Sequence, residues 1–346
     1  MKKQYLYTYI ILSLIAVTFI KCGSNSEEVG EIEIENELIT TDIQTFNKTH
    51  LSFGNGGIQT AKGTFQFLSD NTNVEKILMY VQLDCPSGGC GAWDVFANIK
   101  VKDPETEAWY ELGRYITPYG VDNSQRSNGF VFDVTDFRSI LKGSVELKSF
   151  VEVWTKEGWL ITVDFKVMEG TPEYKYSAVV PLINFTNNSQ QIPYGEVLPE
   201  AISLDGKVTI PSNAKRAKLR SIISGWGHAT PNDSDGRGSA EWGFRSHKLS
   251  FGENKFTHAM VAIGCDSNPV NPQYGNWKPD RAGWCPGQEV PFRFNSLTSS
   301  KSGETLDFNY EFENWTNDNS NGKAYYSLST FLVVESDTPI EKPIVQ

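Results

Sequence analysis

An all-β chain built from two adjacent antiparallel sandwiches or jelly rolls is the fold this sequence predicts, on three observations. About a dozen short runs alternate apolar with polar residues or are continuously apolar, each bounded by Gly, Asn, Asp or Pro clusters. No stretch sustains a 3.6-residue apolar period. At 346 residues, 39% hydrophobic and 21% charged, the chain is roughly twice the commonest domain size and has enough apolar material for two packed cores.

Residues 1–21 read as an export signal. Lys2 and Lys3 form a positive start, and Tyr5 to Ile20 is a mostly apolar run that is short for a membrane span. The run stops at Lys21-Cys22-Gly23, the pattern of a bacterial lipoprotein signal in which Cys22 becomes the lipidated first residue. Lys21 stands where a small residue is usual, which keeps a plain secretory signal open. Residues 22–40 then read as an acidic tether. Glu27, Glu28, Glu31, Glu33, Glu35 and Glu37 have no basic residue among them, and like charges repel and stay solvated. An acidic stretch directly after such a cysteine also resembles the surface-export signals of some bacterial lipoproteins.

The first domain is expected over 41–170, with strands at 63–69, 76–83, 95–101, 145–154 and 159–167 and one helical turn at Phe137 to Leu141. The seam falls near Gly170-Thr171-Pro172, because a residue before proline is biased to extended backbone. The second domain, 171–346, is expected to carry strands at 177–185, 206–210, 217–224, 240–251, 255–263, 304–312 and 323–334.

Charge and cysteines narrow the function. Export removes three lysines and no acid from 31 basic and 42 acidic residues, so the mature charge is -14. A phosphate binder needs a basic face, so nucleic acid is set aside. With Cys22 given to lipid, Cys85, Cys90, Cys265 and Cys285 remain, an even set in an oxidising compartment. Of three connectivities, Cys85–Cys90 and Cys265–Cys285 close the shortest loops. The rival, a thiolate metal site, has no nearby His partner and thiols that oxidise outside the cell. No phosphate loop, Rossmann fingerprint or Gly-x-Ser-x-Gly elbow occurs. No cofactor or metal is therefore expected.

Chemistry must then come from carboxylates and aromatics. Asp94, in Gly91-Ala92-Trp93-Asp94, sits where a disulfide pins the backbone before a strand. Glu152, in 150–154 (FVEVW), shares a strand face with Phe150 and Trp154, and an acid between large aromatics has its pKa raised, as a general acid requires. Glu241, in 240–245 (AEWGFR), shares its face with Gly243 and Arg245. Loops 224–228 (SGWGH) and 279–287 (PDRAGWCPG) pair Trp with Gly, so that flat rings stand clear for sugar faces, and Arg281 offers a fork of donors. Each feature also has a plain structural reading: a lone strand carboxylate usually faces solvent, and turn-rich sheets bury aromatics.

The segments 90–98 (CGAWDVFAN), 116–119 (ITPY), 133–137 (DVTDF), 171–180 (TPEYKYSAVV), 223–229 (ISGWGHA), 238–247 (GSAEWGFRSH) and 275–287 (GNWKPDRAGWCPG) resemble, in order, the peptide-N-glycosidase F family of bacterial N-glycan amidases. The likeness runs from about Ile43 to about Pro339. It implies two jelly-roll-like domains with the active site in the cleft between them, and it assigns the essential aspartate to Asp94 and two supporting glutamates to Glu152 and Glu241. Glycan contacts are implied at Trp93, Trp154, Trp226, Trp284 and Arg281, and Asp280 and His228 in the same loops complete the substrate-binding set. The implied reaction is hydrolysis of the amide joining the Asn side chain to N-acetylglucosamine. Asp94 would direct the water, Glu241 would hold and polarise it, and Glu152 with Trp154 would bind the first sugars.

Three departures stand out. A third family disulfide would need cysteines at Ser239 and Gly243, leaving the Glu241 segment less rigid; Ala92 replaces an acid; and Val95 replaces an arginine that helps hold the glycan core. The implied partners are N-linked glycoproteins and glycopeptides, met by a monomer that touches a membrane only through Cys22. Its place is the cell envelope, at the outer membrane, or the exterior. A non-catalytic glycan-binding lipoprotein is the alternative. A two-domain copper monooxygenase is the poorer one, since only His50, His228, His247 and His258 exist and none forms a His-x-His pair.

Overall fold

The computed structural model describes residues 39–186, 191–195, 198–316 and 320–346. The export signal, Cys22 and the tether up to residue 38 lie outside the described residues. Eight strands build the first half: β1 (Thr40–Leu51), β2 (Thr60–Gln66), β3 (Val74–Asp84), β4 (Phe96–Lys102), β5 (Trp109–Ile116), β6 (Phe130–Asp133), β7 (Ser144–Val151) and β8 (Trp159–Glu169). They pair antiparallel in two four-stranded sheets, ordered β1-β8-β3-β6 and β2-β7-β4-β5. Alternation dictates the core. On β3, Ile77, Met79, Val81 and Leu83 turn inward, and on β8 Ile161, Val163, Phe165 and Val167 do the same. A helical turn occurs at Thr135–Phe137, two residues before the expected start.

Ten further strands build the second half: β9 (Tyr176–Phe185), β10 (Ile192–Tyr194), β11 (Asp205–Thr209), β12 (Arg216–Thr230), β13 (Ser246–Phe251), β14 (Asn254–Ala259), β15 (Arg293–Ser296), β16 (Thr305–Glu311), β17 (Asn321–Ser336) and β18 (Ile344–Val345). One sheet runs β10-β17-β12-β15 with β9 also on β17, and the facing sheet runs β14-β13-β16-β11-β18. The chain is thus two antiparallel β-sandwiches, with no α-helix among the described residues.

Strands β1, β5, β6 and β15 lie outside the expected set, and two segments near the candidate residues take another form than expected. Residues 224–228, expected as a loop, continue β12 and pair with β17, Trp226 opposite Tyr325. The glycines there are not loop signals. A Cβ on Gly225 would lie 2.1 Å from the Ala240 carbonyl oxygen, and one on Gly227 2.2 Å from that of Lys323, so they mark where other backbone packs onto the strand. Conversely 240–245, expected as strand, is a turn region ahead of β13, so the shared strand face proposed for Glu241, Gly243 and Arg245 does not exist.

The sandwiches meet along a seam with its own apolar cluster, in which Phe96 and Ile116 from the first pack on Ile222, Trp226, Trp284 and Val290 from the second. Main chain crosses it too. Ile116 N–H donates to Gln288 O at 2.9 Å, and Gly287 and Val290 N–H donate to Ile116 O and Arg114 O at 3.0 and 2.8 Å. Arg114, fully buried, donates in parallel to Glu111 and also reaches Ser224 Oγ at 2.9 Å and Ser327 O at 2.7 Å in the second sandwich. Burial pushes the Glu111 carboxyl up, but Arg114 and Lys100 outweigh it and hold Glu111 below the usual carboxylate range.

Candidate active site

Asp94 follows the Cys85–Cys90 disulfide on a loop that several contacts immobilise. Gly91 lies flat on the Trp159 indole, where a Cβ would come within 2.3 Å of the ring. Its N–H donates to Gly158 O at 2.8 Å and its carbonyl accepts from Gly120 N–H at 2.9 Å. Thr117 Oγ1 donates to Trp93 O and accepts from Val95 N–H, both at 2.9 Å. Neighbouring residues therefore face opposite ways. Trp93 is exposed and Asp94 looks into the seam, while Val95 is buried in the core of the first sandwich. Position 95 does not present a side chain to a ligand, which corrects the expectation drawn for it.

Glu241 arrives from the second sandwich. Its Oε2 accepts Gly227 N–H at 3.0 Å, and its main-chain carbonyl accepts Ala282 N–H at 2.8 Å. Where the missing disulfide would stand, Ser239 Oγ donates to Gly227 O at 2.6 Å and Gly243 N–H to Ser239 O at 2.6 Å, so hydrogen bonds close this turn.

Arg281 joins the two acids. Its Nη2 lies 3.4 Å from Asp94 Oδ2 and its Nε 3.7 Å from Glu241 Oε1. The guanidinium is buried between the Trp242 and Trp284 rings, 4.8 and 5.6 Å from their centroids, and donates to Pro279 O and Asn276 O at 2.6 Å each and to the Tyr119 hydroxyl at 3.2 Å. One cation thus faces two carboxyl groups. Burial is the largest influence on Asp94 and pushes it up to about 7, against the pull of the Tyr119 hydroxyl and Arg281, while Glu241 adds to the rise. Burial raises Glu241 as well, opposed by Arg281 and the Gly227 N–H.

Glu152 sits just beyond β7, its N–H bonded to Phe96 O at 2.9 Å. The strand ladder ends at Val151 and the chain turns at Glu152, Val153 N–H donating to Val151 O at 2.8 Å; Val151 and Val153 are buried, Phe150 and Glu152 half-buried and Trp154 exposed, so the strand face expected for Phe150, Glu152 and Trp154 ends at the turn. Burial alone pushes Glu152 up to about 7. Trp154 is exposed and meets the Phe53 ring edge-on at 5.5 Å. His228 is exposed, 3.9 Å from Glu241, and its Nδ1 accepts from Trp242 Nε1 at 3.2 Å.

Two expected contacts are corrected. Trp226 and Trp284 do not stand clear as rings for sugar; they are buried, stacked on each other at 4.5 Å, with their indole N–H groups bonded to Ser224 Oγ and Gly225 O. They form the floor under Arg281 instead. Asp280 commits Oδ1 to the N–H groups of Ile263, Gly264 and Cys265, at 3.2, 2.8 and 3.0 Å, and so shapes a loop. Cys265, Asp280 and Cys285 have the spacing of metal ligands among the described residues, but the two sulfurs are bonded to each other.

Two residues were missed. Tyr119 closes the 116–119 (ITPY) motif, which was its signal in the sequence. Tyr325 gave no signal: it is the strand neighbour of Trp226, packs on the seam cluster, and has its hydroxyl raised by burial and by both Glu152 and Glu241. A cavity of about 1000 Å³ on the second sandwich, lined by Glu200, Asp205, Asp307 and Glu311 among others, includes none of these groups.

Fold and site together define a two-sandwich β protein with a carboxylate site on the seam. The family description "Peptide-N-glycosidase F, N terminal" matches residues 94–167, and "Peptide-N-glycosidase F, C terminal" matches residues 194–333. The peptide-N(4)-(N-acetyl-beta-D-glucosaminyl)asparagine amidase F of Elizabethkingia miricola is 46% identical over 309 residues, 88% of this chain and 87% of that protein. The solved structure of PNGase F, described as a glycosylasparaginase from Flavobacterium meningosepticum, matches with a TM-score of 0.84 at 45% identity, over 89% of this chain and 99% of that one. PNGF-II, 15% identical with a TM-score of 0.68 over 86% of this chain and 65% of its own, shares the fold. The chain belongs to the peptide-N-glycosidase F family.

Proposed function

We propose that this protein is a peptide-N-glycosidase: it hydrolyses the amide between an Asn side chain and the innermost N-acetylglucosamine of N-linked glycoproteins and glycopeptides. Water adds to the carboxamide carbon, the C–N bond breaks, the glycosylamine leaves with a proton, and Asp remains in the peptide. The observation that carries this reading is Arg281 holding Asp94 and Glu241, one acid from each sandwich, within a family whose named relative is this amidase.

Asp94 is the reacting acid. A carboxylate with a pKa near 7 is a far better base than one near 4, and it is still half ionised at neutral pH. It directs the water, Glu241 holds and polarises it, and Arg281 keeps the two acids in place. Glu152, Trp154, Trp93 and His228 line the approach and contact the first sugars. Carboxyl groups then orient the water near the amide, take up its proton, and return a proton to the poor amine leaving group.

Several finer readings accompany this one. The order β1-β8-β3-β6 against β2-β7-β4-β5 supports a jelly roll in the first half. The gap between β8 and β9 supports domains at 41–170 and 171–346. Two disulfides and the basic-then-apolar leader support export, with lipidation at Cys22 and a monomeric state as parts of the same proposal. The test is incubation of purified protein with an Asn-linked glycopeptide. A product peptide heavier than its Asn form by about 1 Da, the amide-to-acid difference, supports amidase chemistry. Glycan binding with no such product would leave the non-catalytic alternative.

A further inference from the structure

The loop that Cys265–Cys285 closes does more than carry Arg281. Its Gln273 is buried, and both sides of the amide are engaged. Nε2 donates to Val270 O at 2.9 Å and to Pro286 O at 3.0 Å, while Oε1 accepts the N–H of Tyr119 at 3.0 Å from across the seam. The next residues tighten the grip. Tyr274 N–H donates to Tyr119 O at 3.1 Å, and Gly275 lies against the Tyr119 ring, where a Cβ would come within 2.1 Å of a ring carbon. Asn276 O accepts from Arg281 Nη2 at 2.6 Å. Residues 273–276 therefore grip the tyrosine on one side and the arginine on the other. Arg281 Nη2 lies 3.4 Å from the Asp94 carboxyl and 3.2 Å from the Tyr119 hydroxyl, and that hydroxyl favours the ionised form of Asp94.

We propose that Gln273 is a positioning residue: by fixing the Tyr119 backbone from the second sandwich, it sets where the Tyr119 hydroxyl meets Asp94. Hydrogen bonds weaken steeply with length and angle, and a small rotation at the backbone is magnified at the far end of a tyrosine. Gln273 thereby tunes an acid on the opposite sandwich without touching it. The kinetic consequence rests on the reading of Asp94 as the reacting acid; the electrostatic consequence does not.

The groups facing Asp94 are Tyr119 from its own sandwich and Arg281 and Glu241 from the other, so the expected sign is fixed. Tyr119 favours the ionised carboxyl, and loosening it moves the Asp94 titration to higher pH. Gln273→Met keeps length and bulk while removing all three hydrogen bonds. In the full chain, carbon NMR of Asp94 should show its midpoint raised in Gln273→Met and in Tyr119→Phe. The double variant should move no further than Tyr119→Phe alone. On a glycopeptide, kcat at neutral pH should fall about tenfold with KM changed less than about twofold, as expected for lost positioning. Should Gln273→Met fail to fold, Gly275→Ala displaces the same ring with Gln273 intact and should raise the same midpoint. An unchanged Asp94 midpoint, or additive shifts in the double variant, overturns the proposal. Wild-type protein that titrates as described but yields no Asp-containing product would instead sink the amidase reading alone.

Discussion

Arg281 lies 3.4 Å from Asp94 and belongs to the other sandwich, so the seam between the two halves is bridged by an ion pair at the site itself. Asp94→Asn keeps the shape and removes the charge. Turnover should fall by at least about 100-fold, the low end for a lost acid–base group, with the fold intact by circular dichroism. Glu241→Gln should also cut turnover heavily. Near-normal product formation by Asp94→Asn would return the glycan-binding reading to first place.

The raised carboxyl at Asp94 also sets a pH dependence. As a carboxylate acting on water it works only when ionised, so kcat/KM should rise as pH passes through about 7 and fall below it. A profile flat from pH 5 to 9 would remove Asp94 from that role.

Glu152 gives the cleanest stability test, because burial alone raises it from 4.5 to about 7. The folded state holds this proton more tightly than the unfolded chain. The stabilisation is therefore complete below about 4.5 and lost as pH rises through about 7. Glu152→Gln is neutral throughout, so its Tm should gain on wild type at pH 8.5 relative to pH 4.5. An identical Tm difference at both pH values would show that Glu152 is not desolvated.

Most of the fold was legible in the sequence, and the reasons for the exceptions are local. The strands around Ile77 and Val163 alternate cleanly because one face is buried, and they were found. β5, with Trp109 to Ile116, was missed because the seam covers its second face and erases the alternation: seven of its eight residues are buried. Asp94 and Glu152 were singled out by their neighbours, a disulfide and a pair of aromatics, whereas the strand face that singled out Glu241 is a turn in the fold. Trp226 and Trp284 were misread because a glycine beside a tryptophan does not say which way the ring points; at Gly225 and Gly227 it marks close backbone packing.

Tyr325 lies in the field of both glutamates, and removing only its hydroxyl tests whether it touches substrate. Tyr325→Phe should raise KM for a glycopeptide several-fold, matching one lost hydrogen bond of about 1 kcal/mol, with stability within about 1 kcal/mol of wild type. Unaltered KM and kcat would confine Tyr325 to packing.

The two disulfides should differ in what they support. Non-reduced mature protein should lack four hydrogens and offer no alkylatable thiol at Cys85, Cys90, Cys265 or Cys285. The Cys265–Cys285 loop carries Gln273, Asn276 and Arg281, so a paired Cys265→Ser, Cys285→Ser variant should lose activity at temperatures where it is still folded. Its stability loss should be on the order of 3 kcal/mol, given the loop length. Full activity in that variant would mean the loop holds its shape without the bond.

Val95 reverses an expectation. Read from sequence, replacing it by arginine should restore a donor to the glycan and lower KM. In the fold its side chain is 7% exposed and belongs to the buried core of the first sandwich, while Asp94 faces the other way. An arginine there must either bury an unpaired charge or drag the 91–95 loop outward, and the loop is fixed by Thr117 on both sides of Asp94. Val95→Arg should therefore destabilise the protein by at least about 2 kcal/mol in denaturant unfolding and reduce activity on every glycan core, by displacing Asp94. Val95→Ile, which adds one methylene inside the core, should keep activity and shift stability by less than about 1.5 kcal/mol. A stable Val95→Arg protein with a lower KM would show that the arginine reaches the cleft past Asp94, and would restore the sequence reading of this position.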